Sequence, residues 1–512
     1  METLSLSSSK GKWLMASTIL ASSMAFIDGT ALNVVLPALQ KSLNATGADL
    51  FWILNAYLLM LASLILIGGS LGDKLGRKKI FMIGILIFIA GSVACGFSST
   101  VFMLILCRVV QGIGGALMIP GSLSLISSTI TGKERGKAIG TWSSATTVVT
   151  IGGPILGGAL ADAGLWRYIF FINVPIGIVA LAILFFKVDE NRDNDSDSSI
   201  DFLGAIAIVL GLAALTFGFL RMPSVGISNW QVYSTLVLGL FLLVIFIIIE
   251  RKSKYPMMPL TLFKNQTFTG ANLLTFFLYA GLGAGMLFLS LNLVQAQAYS
   301  QLQSGLTFLP FTILMILLAR ISGGLADKYG PRLFLITGPA IAGCGLLWLS
   351  FVKQTSGPQD YWSTFFPGIL TFGLGMSLTV APLTTAVMGS AEDHFSGTAS
   401  GVNNAMTRIS NVFANAIFGA LAVLFFTAAL QKDLDKTSFS SVQKEEILIQ
   451  AVNLGNAKVP DTINKKWKNS VEQSLKDGFI TSYGYLMKLA ASLAFLASLM
   501  AVVFIRNKHI NT

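Results

Sequence analysis

One carboxylate and one guanidinium, both inside long apolar stretches, are the side chains best suited to chemistry. Among the 24 acidic residues, only Asp28 lies well inside an apolar run, and Arg108 lies in another. A carboxylate at depth in a bilayer costs about 2.5–3.5 kcal/mol, so it normally faces a cavity or a partner. We expect Asp28 to exchange a proton. The alternative is a carboxylate held permanently in a structural ion pair.

Arg108 is the expected partner of Asp28. At ~1.5 Å per residue, Arg108 lies about 10 Å below the outer end of its span and Asp28 about 15 Å below the outer end of its own. Pairing with Arg108 would favour the ionised carboxylate, and withdrawal of Arg108 would favour the protonated one. Gln111, one turn after Arg108, could relay hydrogen bonds. Alternatively, Arg108 only braces helix packing.

Elements long enough to cross a membrane must position these residues. The chain has 512 residues, of which 54% are hydrophobic and 12% charged, against about 25% charged in soluble domains. Continuous apolar runs of about twenty residues indicate membrane helices. We predict an all-α integral membrane protein whose fourteen spans lie near 13–38, 50–70, 80–97, 101–126, 137–161, 168–187, 200–221, 231–250, 268–294, 304–322, 333–351, 362–386, 401–427 and 482–506.

The two halves of the chain repeat each other. The pattern Gly136-x-Ala138-x-Gly140 returns as Gly397-x-Ala399-x-Gly401, and a basic loop also recurs, which indicates a duplicated membrane unit. We therefore divide the chain into an N-terminal six-helix bundle at 1–187, a linker with two inserted spans at 188–267, and a C-terminal six-helix bundle at 268–512. The last bundle includes an outer hairpin at 427–481, which either caps the outer mouth with short helices or is mobile.

Charge predicts the orientation. The net charge is +11, and most of the 35 Lys and Arg residues fall in the two tails and alternate loops, with Arg108, Arg408 and Lys488 assigned to spans. This asymmetry places both termini in the cytoplasm of a multi-pass plasma (inner) membrane protein. It also explains the positive charge without a nucleic-acid partner.

Few residues could hold a metal or form an enzyme site. The chain has two histidines, and its three cysteines, Cys95, Cys107 and Cys344, lie in apolar runs without metal-ligand spacing. We expect all three to be small buried side chains. No metal, no cofactor and no enzymatic activity are predicted.

Two loops with the same order of residues are expected to act as cytoplasmic latches. Glycine permits a tight turn, while Asp and Arg can bind helix ends. The residues of the two loops are Gly69, Asp73, Gly76, Arg77, Asp327, Gly330 and Arg332. In the fifth span, dense glycines around a proline suit a sliding or flexing seam: Gly152, Gly153, Pro154, Gly157 and Gly158.

These motifs resemble those of the major facilitator superfamily, and within it the fourteen-span drug:proton antiporter family. Gly69 to Lys79 is similar to the family's loop after the second span, and Arg108-x-x-Gln111-Gly112 to its fourth-span motif. Gly152 to Gly158 resembles the antiporter motif, and Asp28 to Pro37 the first-span motif of the fourteen-span branch. The resemblance implies a major facilitator fold of two six-helix bundles plus two inserted helices, which rock about a central cavity.

The predicted function is a proton-coupled multidrug efflux antiporter for lipophilic compounds, monocations among them. An exporter of one endogenous metabolite or siderophore is the alternative, and a transport-inactive receptor or scaffold a minor one. Small lipophilic molecules, protons and membrane lipid are the expected partners of a monomer. Polar and aromatic residues in apolar spans could line the cavity or hold helices together: Asn33, Tyr57, Gln111, Trp142, Asn272, Tyr279, Asn292 and Gln295.

Overall fold

The computed structural model of the protein describes residues 4–190, 201–254, 256–390 and 396–506. Apart from one isolated bridge between Leu4 and Ile130, the regular elements of these residues are helices. The all-α prediction is therefore confirmed.

The first half consists of helices that cross the molecule in alternating directions. Serine or threonine side chains cap several of them, as at Ser8, Thr46 and Thr100, because their oxygens accept otherwise unpaired N–H groups of the first turn. The helices are α1 (Ser9–Leu43), α2 (Gly47–Leu75), α3 (Arg77–Phe97), α4 (Val101–Thr129), α5 (Gly132–Asp162), α6 (Tyr168–Phe171) and α7 (Asn173–Lys187).

A linker pair of helices and the second half follow. The linker pair is α8 (Phe202–Val225) and α9 (Trp230–Lys252). The second half contains α10 (Gln266–Gln295), α11 (Gln301–Thr307), α12 (Leu309–Tyr329), α13 (Arg332–Leu349), α14 (Phe365–Gly389), α15 (Ser396–Leu434), α16 (Ser441–Ile449) and α17 (Lys465–Phe504). Two predicted spans are interrupted near their start, between α6 and α7 and between α11 and α12. Pro175 and Pro310 follow these breaks, and proline has no N–H to continue the helical bonding.

Thirteen helices of the described chain are long and apolar enough to cross a membrane, with α6–α7 and α11–α12 each counted as one. Helix α5 contributes a shorter apolar segment, Val148–Asp162. The predicted count of fourteen depends on that segment.

The helices form two bundles with the linker pair against one side. In the first half α1 packs on α5 and α7, and α4 packs on α2 and α3; in the second half α14 packs on α12 and α13, and α17 on α10 and α13. The linker helix α8 contacts both α2 and α15, so it covers the boundary between the halves there. We call the end of the molecule that carries residues 435–464 the hairpin side, and the end that carries the two repeated loops the basic-loop side.

The hairpin is shorter than predicted. Helix α15 continues to Leu434 and α17 begins at Lys465, so both ends of the predicted hairpin belong to the flanking long helices. Val471, Leu475 and Phe479 are buried at four-residue spacing, and this amphipathic face lets the last span extend beyond the membrane. Helix α16 forms one short helix of the hairpin, and Ile447 within it and Ala451 and Leu454 after it are buried in the main core.

Two expectations about individual residues in the spans are corrected. Cys95 and Cys107 are buried, but Cys344 is exposed; an apolar run does not imply burial in protein, because lipid is equally apolar. Arg320 also lies inside a span-forming helix, α12, in addition to the three basic residues assigned to spans.

Candidate functional site

Asp28 and Arg108 form a buried ion pair. Nη1 of Arg108 lies 2.5 Å from Oδ2 of Asp28, and the two side chains are 1% and 0% exposed. Gln111 donates from Nε2 to Oδ1 of Asp28 at 3.0 Å and accepts from Nη1 of Arg108 at 2.8 Å. Both carboxylate oxygens of Asp28 thus accept a hydrogen bond, and the three side chains form a closed triangle.

Helix α2 holds Arg108 from the other side. Nε of Arg108 donates to the carbonyl of Ile53 at 3.3 Å, and the guanidinium lies 4.3 Å from the ring centre of Tyr57. A Cβ at Gly112 would lie 2.5 Å from the carbonyl oxygen of Tyr57, so only glycine permits this approach of α4 to α2. The ring of Tyr57 adds a cation–π contact and covers the charge.

The network continues into α3 and α7 through residues that the sequence did not single out. Nε2 of Gln111 donates to Oγ of Ser92 at 3.4 Å, and Nδ2 of Asn173 donates to the same oxygen at 3.0 Å. Oγ of Ser92 in turn donates to the carbonyl of Phe170 at 2.8 Å. The only signal in the sequence was a polar residue within an apolar span, which is common in packed membrane helices.

The ion pair lies one residue away from an open face of α1. Gly29 is exposed, and a Cβ there would have no described atom within 4 Å. Asn33, one turn further, is partly exposed. Since neighbouring residues of a helix point about 100° apart, Asp28 faces α4 while Gly29 faces the space between the halves.

This arrangement can hold a carboxylate in its ionised form. The guanidinium and the amide N–H groups both donate to Asp28, and the guanidinium has no acceptor atom. In the described residues there is no group of three His, Cys, Asp or Glu side chains that could hold a metal ion.

Comparison with known proteins identifies the family. The sequence profile of the Major Facilitator Superfamily matches residues 18–415. The chain belongs to this superfamily. The predicted family is thereby confirmed, and the buried pair of Asp28 and Arg108 lies inside the matched region.

Several curated superfamily relatives are drug-resistance proteins. The chain is 30% identical to multidrug resistance protein Stp of Mycobacterium tuberculosis over 84% of its length and 80% of Stp. It is 31% identical to multidrug transporter protein MdtP of Bacillus subtilis over 81% of its length and 75% of MdtP. It is 27% identical to the tetracenomycin C resistance and export protein of Streptomyces glaucescens over 94% and 89% of the two chains.

Solved structures of transporters share the fold. A bacterial homologue of the human lysosomal transporter Spinster, in an inward-facing and unoccupied conformation, matches with a TM-score of 0.67 at 19% identity over 97% of this chain and 98% of that one. The xylose transporter XylE of E. coli matches with a TM-score of 0.58 at 14% identity over 98% of each chain. The major facilitator fold predicted from the sequence is confirmed.

The two repeated superfamily loops turn at glycines with positive φ. Gly76 has φ of 108° and Gly330 of 85°, a region that favours glycine. At the start of α3, the backbone N–H groups of Lys78 and Lys79 donate to the carboxylate of Glu190 at 3.0 and 3.1 Å. A carboxylate therefore does bind this helix amino end, and it comes from Glu190. The side chains of Asp73 and Asp327 lie outside the described part of the chain.

Other contacts of the loop residues join neighbouring helices. Nη2 of Arg332 donates to the carbonyl of Val502 in the last turn of α17 at 3.2 Å, a contact with a helix carboxyl end. A Cβ at Gly69 would lie 4.0 Å from the ring of Pro120 in α4. Arg77 opens α3. The role of these residues as latches remains a prediction.

The amino-terminal segment is attached to the basic-loop side. The N–H of Leu6 donates to Oε2 of Glu134 at 2.7 Å and holds the pKa of that carboxyl below its usual range. Lys10 donates to Asp189 at 2.5 Å and lowers the pKa of that carboxyl as well. Both carboxylates are thus ionised at neutral pH, where Glu134 ties the segment before α1 to α5 and Asp189 ties the first turn of α1 to the start of the linker.

The glycines of α5 form a seam between two neighbours. A Cβ at Gly157 would lie 2.7 Å from the carbonyl oxygen of Ala31, and one at Gly153 would overlap Thr30, both in α1. On another face, a Cβ at Gly158 would lie 2.5 Å from the carbonyl oxygen of Gln301 in α11 of the second half. Pro154 packs beside Gly305 of α11, and Gly152 faces open space.

Asp162 joins the two halves at the hairpin side, and the sequence analysis gave it no role. Its Oδ2 accepts from Oγ of Ser300 at 2.7 Å and from the N–H of Leu302 at 2.9 Å, while Oδ1 accepts from the N–H of Gln301 at 2.9 Å. A carboxylate from α5 therefore binds the amino end of α11. Its position at the end of an apolar run was visible, but its partner in the other half was not.

A glutamine bridge closes the same side. Nε2 of Gln295 donates to Oε1 of Gln40 at 2.8 Å, and Nε2 of Gln40 donates to the carbonyl of Asn453 at 3.0 Å. A Cβ at Gly47 would lie 2.9 Å from Leu454. The hairpin segment thus sits on the junction of α1, α2 and α10 and helps to hold the halves together there.

Towards the basic-loop side, α5 and α12 separate. A Cβ at Gly140 of α5 or at Gly324 of α12 would have no described atom within 4 Å. The same holds for Gly29 and Gly152 deeper in the molecule. Between α5 and α12 the halves are therefore closed at the hairpin side and apart at the basic-loop side, whereas α2 and α15 stay in contact, with a Cβ at Gly401 3.3 Å from Leu66.

The predicted cavity residues do not line one open surface. Asn33 and Tyr279 are partly exposed, but Gln111 belongs to the ion-pair network and is buried. Polar groups in spans can also join helices, as Gln111, Trp142 and Asn272 do, whereas the buried amide of Asn292 has no hydrogen-bond partner among the described residues. Buried side chains of this set are Tyr57 on Arg108, Trp142 donating to Ser22, Asn272 accepting from Asn403, and Asn292 near the hairpin-side closure.

Proposed function

We propose that the protein is a proton-coupled antiporter that exports lipophilic compounds across the plasma (inner) membrane, with the basic-loop side in the cytoplasm. The observation that carries the proposal is the ion pair of Asp28 and Arg108, sealed inside the first half. The names of the curated relatives, multidrug resistance and export proteins, support drug export. The excess of Lys and Arg at the basic-loop side supports the orientation.

The conformation fits one step of such a cycle. In an antiporter, the proton must leave the carrier on the side where the substrate enters. Here the space between the halves opens towards the basic-loop side, and Asp28 is bound to Arg108 in the arrangement expected after proton loss. Substrate entry from the cytoplasm or the inner leaflet would follow. Rocking of the halves would then open the hairpin side and let Asp28 receive a proton.

The seam in α5 provides the movement. Gly153 and Gly157 keep α5 against α1, while Pro154 and Gly158 meet α11. Contacts between backbone atoms without intervening side chains can separate and re-form with little steric obstruction. The bonds of Asp162 to the start of α11 and the glutamine bridge would break in the other state.

The energy available is sufficient for drug export. One proton that moves down 100 mV supplies about 2.3 kcal/mol, and each pH unit adds about 1.36 kcal/mol. One proton per cycle therefore supports a concentration ratio on the order of a hundredfold for a neutral compound.

The test is compound-dependent proton flux. Purified protein is reconstituted into liposomes that hold a pH-sensitive dye and an imposed pH gradient, and a panel of lipophilic compounds is added. We expect some compounds to dissipate the gradient only in liposomes that contain the protein. The variant Asp435→Asn, which removes an exposed carboxylate of the hairpin, should show the same compound-dependent flux as the unmodified protein. A panel that leaves the gradient unchanged, although the same compounds bind the protein, would contradict coupling.

A further inference from the structure

A second arginine, Arg408, lies within the membrane-embedded part of α15. Two contacts with α10 fix its position. Nδ2 of Asn403 donates to Oγ1 of Thr275 at 2.7 Å, and a Cβ at Gly283 would meet Oδ1 of Asn411. Arg408 lies between Asn403 and Asn411 along α15, so it lies at the level of the part of α10 between Thr275 and Gly283.

That part of α10 carries Tyr279, and across the gap α2 carries Tyr57. Tyr57 belongs to the first half and Tyr279 to the second. Helix α15 packs against both α2 and α10, so Arg408 lies on a helix of the second half where it meets the first half.

The two arginines differ in how their charges are balanced. Arg108 is paired with Asp28, whereas Arg408 is partly exposed and makes no ion pair or hydrogen bond with the described residues. Charged groups inside a membrane protein normally have a partner or face an aqueous cavity. The ion pair is neutral overall, so Arg408 leaves one uncompensated positive charge between the halves.

Aromatic rings lie on the neighbouring segments. Phe276 of α10 and Phe413 of α15 form an edge-to-face pair with ring centres 6.0 Å apart. A partly exposed guanidinium beside aromatic rings can hold an acidic group on an apolar body.

We propose that Arg408 binds the acidic group of the exported compound, so that the transporter prefers lipophilic monoanions. The guanidinium would pair with a carboxylate through two parallel hydrogen bonds. The proposal rests on the proposed function for the direction of transport, but not for binding. Export of monocations, which the sequence left open, is the opposite outcome.

Three probes with the same aromatic body test the charge preference: the carboxylate, the alcohol and the methylammonium derivatives of anthracene. Their fluorescence anisotropy is measured with the full chain in lipid nanodiscs, and empty nanodiscs correct for partition into lipid. We expect the carboxylate to bind about tenfold or more tightly than the alcohol, the range of a charged hydrogen bond, and the ammonium compound to bind least.

Variants assign the preference to Arg408. Arg408→Gln should remove the advantage of the carboxylate over the alcohol, and Arg408→Lys should keep part of it, because a point charge remains but the fork is lost. Lys488→Gln removes a positive charge that lies against Phe351 and Tyr485 in the second half and should change nothing. Thermal unfolding shows whether each variant is folded. If Arg408→Gln is not folded, the affinity of Arg408→Lys for the three probes decides the test.

Equal affinity for the three probes, tighter binding of the ammonium compound, or a carboxylate preference that survives both Arg408 variants would overturn the proposal. Proton flux separates this result from the proposed function. A carboxylate preference lost with Arg408, but without probe-dependent proton flux, supports the binding site and contradicts the antiporter. Proton flux driven by the ammonium compound alone contradicts the site and supports the antiporter.

Discussion

The burial of Asp28 against a partner was predictable from a single chemical fact, the cost of a carboxylate inside an apolar span. The depth estimate also placed Arg108 at a compatible level, and the two side chains meet at 2.5 Å. The sequence did not predict the cover over this pair. Tyr57 stood among the cavity residues, yet its ring lies on Arg108, because spacing along a span does not tell which neighbour a side chain faces.

The ring of Tyr57 should keep water away from the ion pair. Tyr57→Ala removes a cation–π contact worth about 0.5–2 kcal/mol and uncovers Arg108, so we expect proton leak without added compound in the proteoliposome assay. Tyr57→Phe retains the ring, so we expect no proton leak from this variant. A leak of equal size in both variants would assign the seal to the hydroxyl and not to the ring.

At the scale of elements, most helix starts and ends near the membrane were predictable, but the lengths beyond it were not. The apolar runs ended near residues 427 and 482, whereas α15 and α17 continue to Leu434 and from Lys465. Hydropathy identifies the segments that lie in the membrane. It does not predict how far a helix continues outside the membrane when it buries an amphipathic face against protein. The contact of Asp162 with α11 was also not predictable, because it joins residues that are far apart in the chain.

The glycine seam should set the balance between the two open states. Gly158→Ala would push a methyl group into the backbone of Gln301 and Leu302, at 2.5 and 2.7 Å, and such overpacking costs about 1–3 kcal/mol. It should weaken the hairpin-side closure and shift the protein towards the state that is closed at the basic-loop side. Gly152→Ala is the matched control, because it faces open space.

Spin labels report this shift. In a background without the three native cysteines, labels at Thr141 of α5 and Leu325 of α12, both exposed, span the open side. Gly158→Ala should shorten the distance distribution between them, and Gly152→Ala should leave it unchanged. An unchanged distribution in a folded Gly158→Ala protein would mean that α5 and α11 do not control the closure.

The whole molecule combines a neutral coupling site in one half with an uncompensated charge between the halves. The duplication was readable because the loops and small-residue patterns recur, and two bundles follow from it. The direction in which the space between them opens was not readable, since both states use the same spans. The location of Arg408 opposite Tyr279 also needed the packing of α10 on α15.

Orientation in the membrane can be tested on intact cells. Single cysteines replace Lys468, exposed at the start of α17, and Lys74, exposed in the first repeated loop. With the basic-loop side in the cytoplasm, a membrane-impermeant maleimide should label the first and not the second until the cells are opened. Labelling in the reverse order would invert the topology and the direction of transport.

The central claim is that Asp28 carries the transported proton, and the variant Asp28→Asn tests it most directly. Two assays on the same proteoliposomes are compared: accumulation of a transported compound driven by a pH gradient, and exchange of that compound across the membrane without a gradient. We predict that Asp28→Asn loses the driven accumulation and keeps binding and exchange, because the halves still rock but no proton is bound. Accumulation equal to that of the unmodified protein would contradict the account.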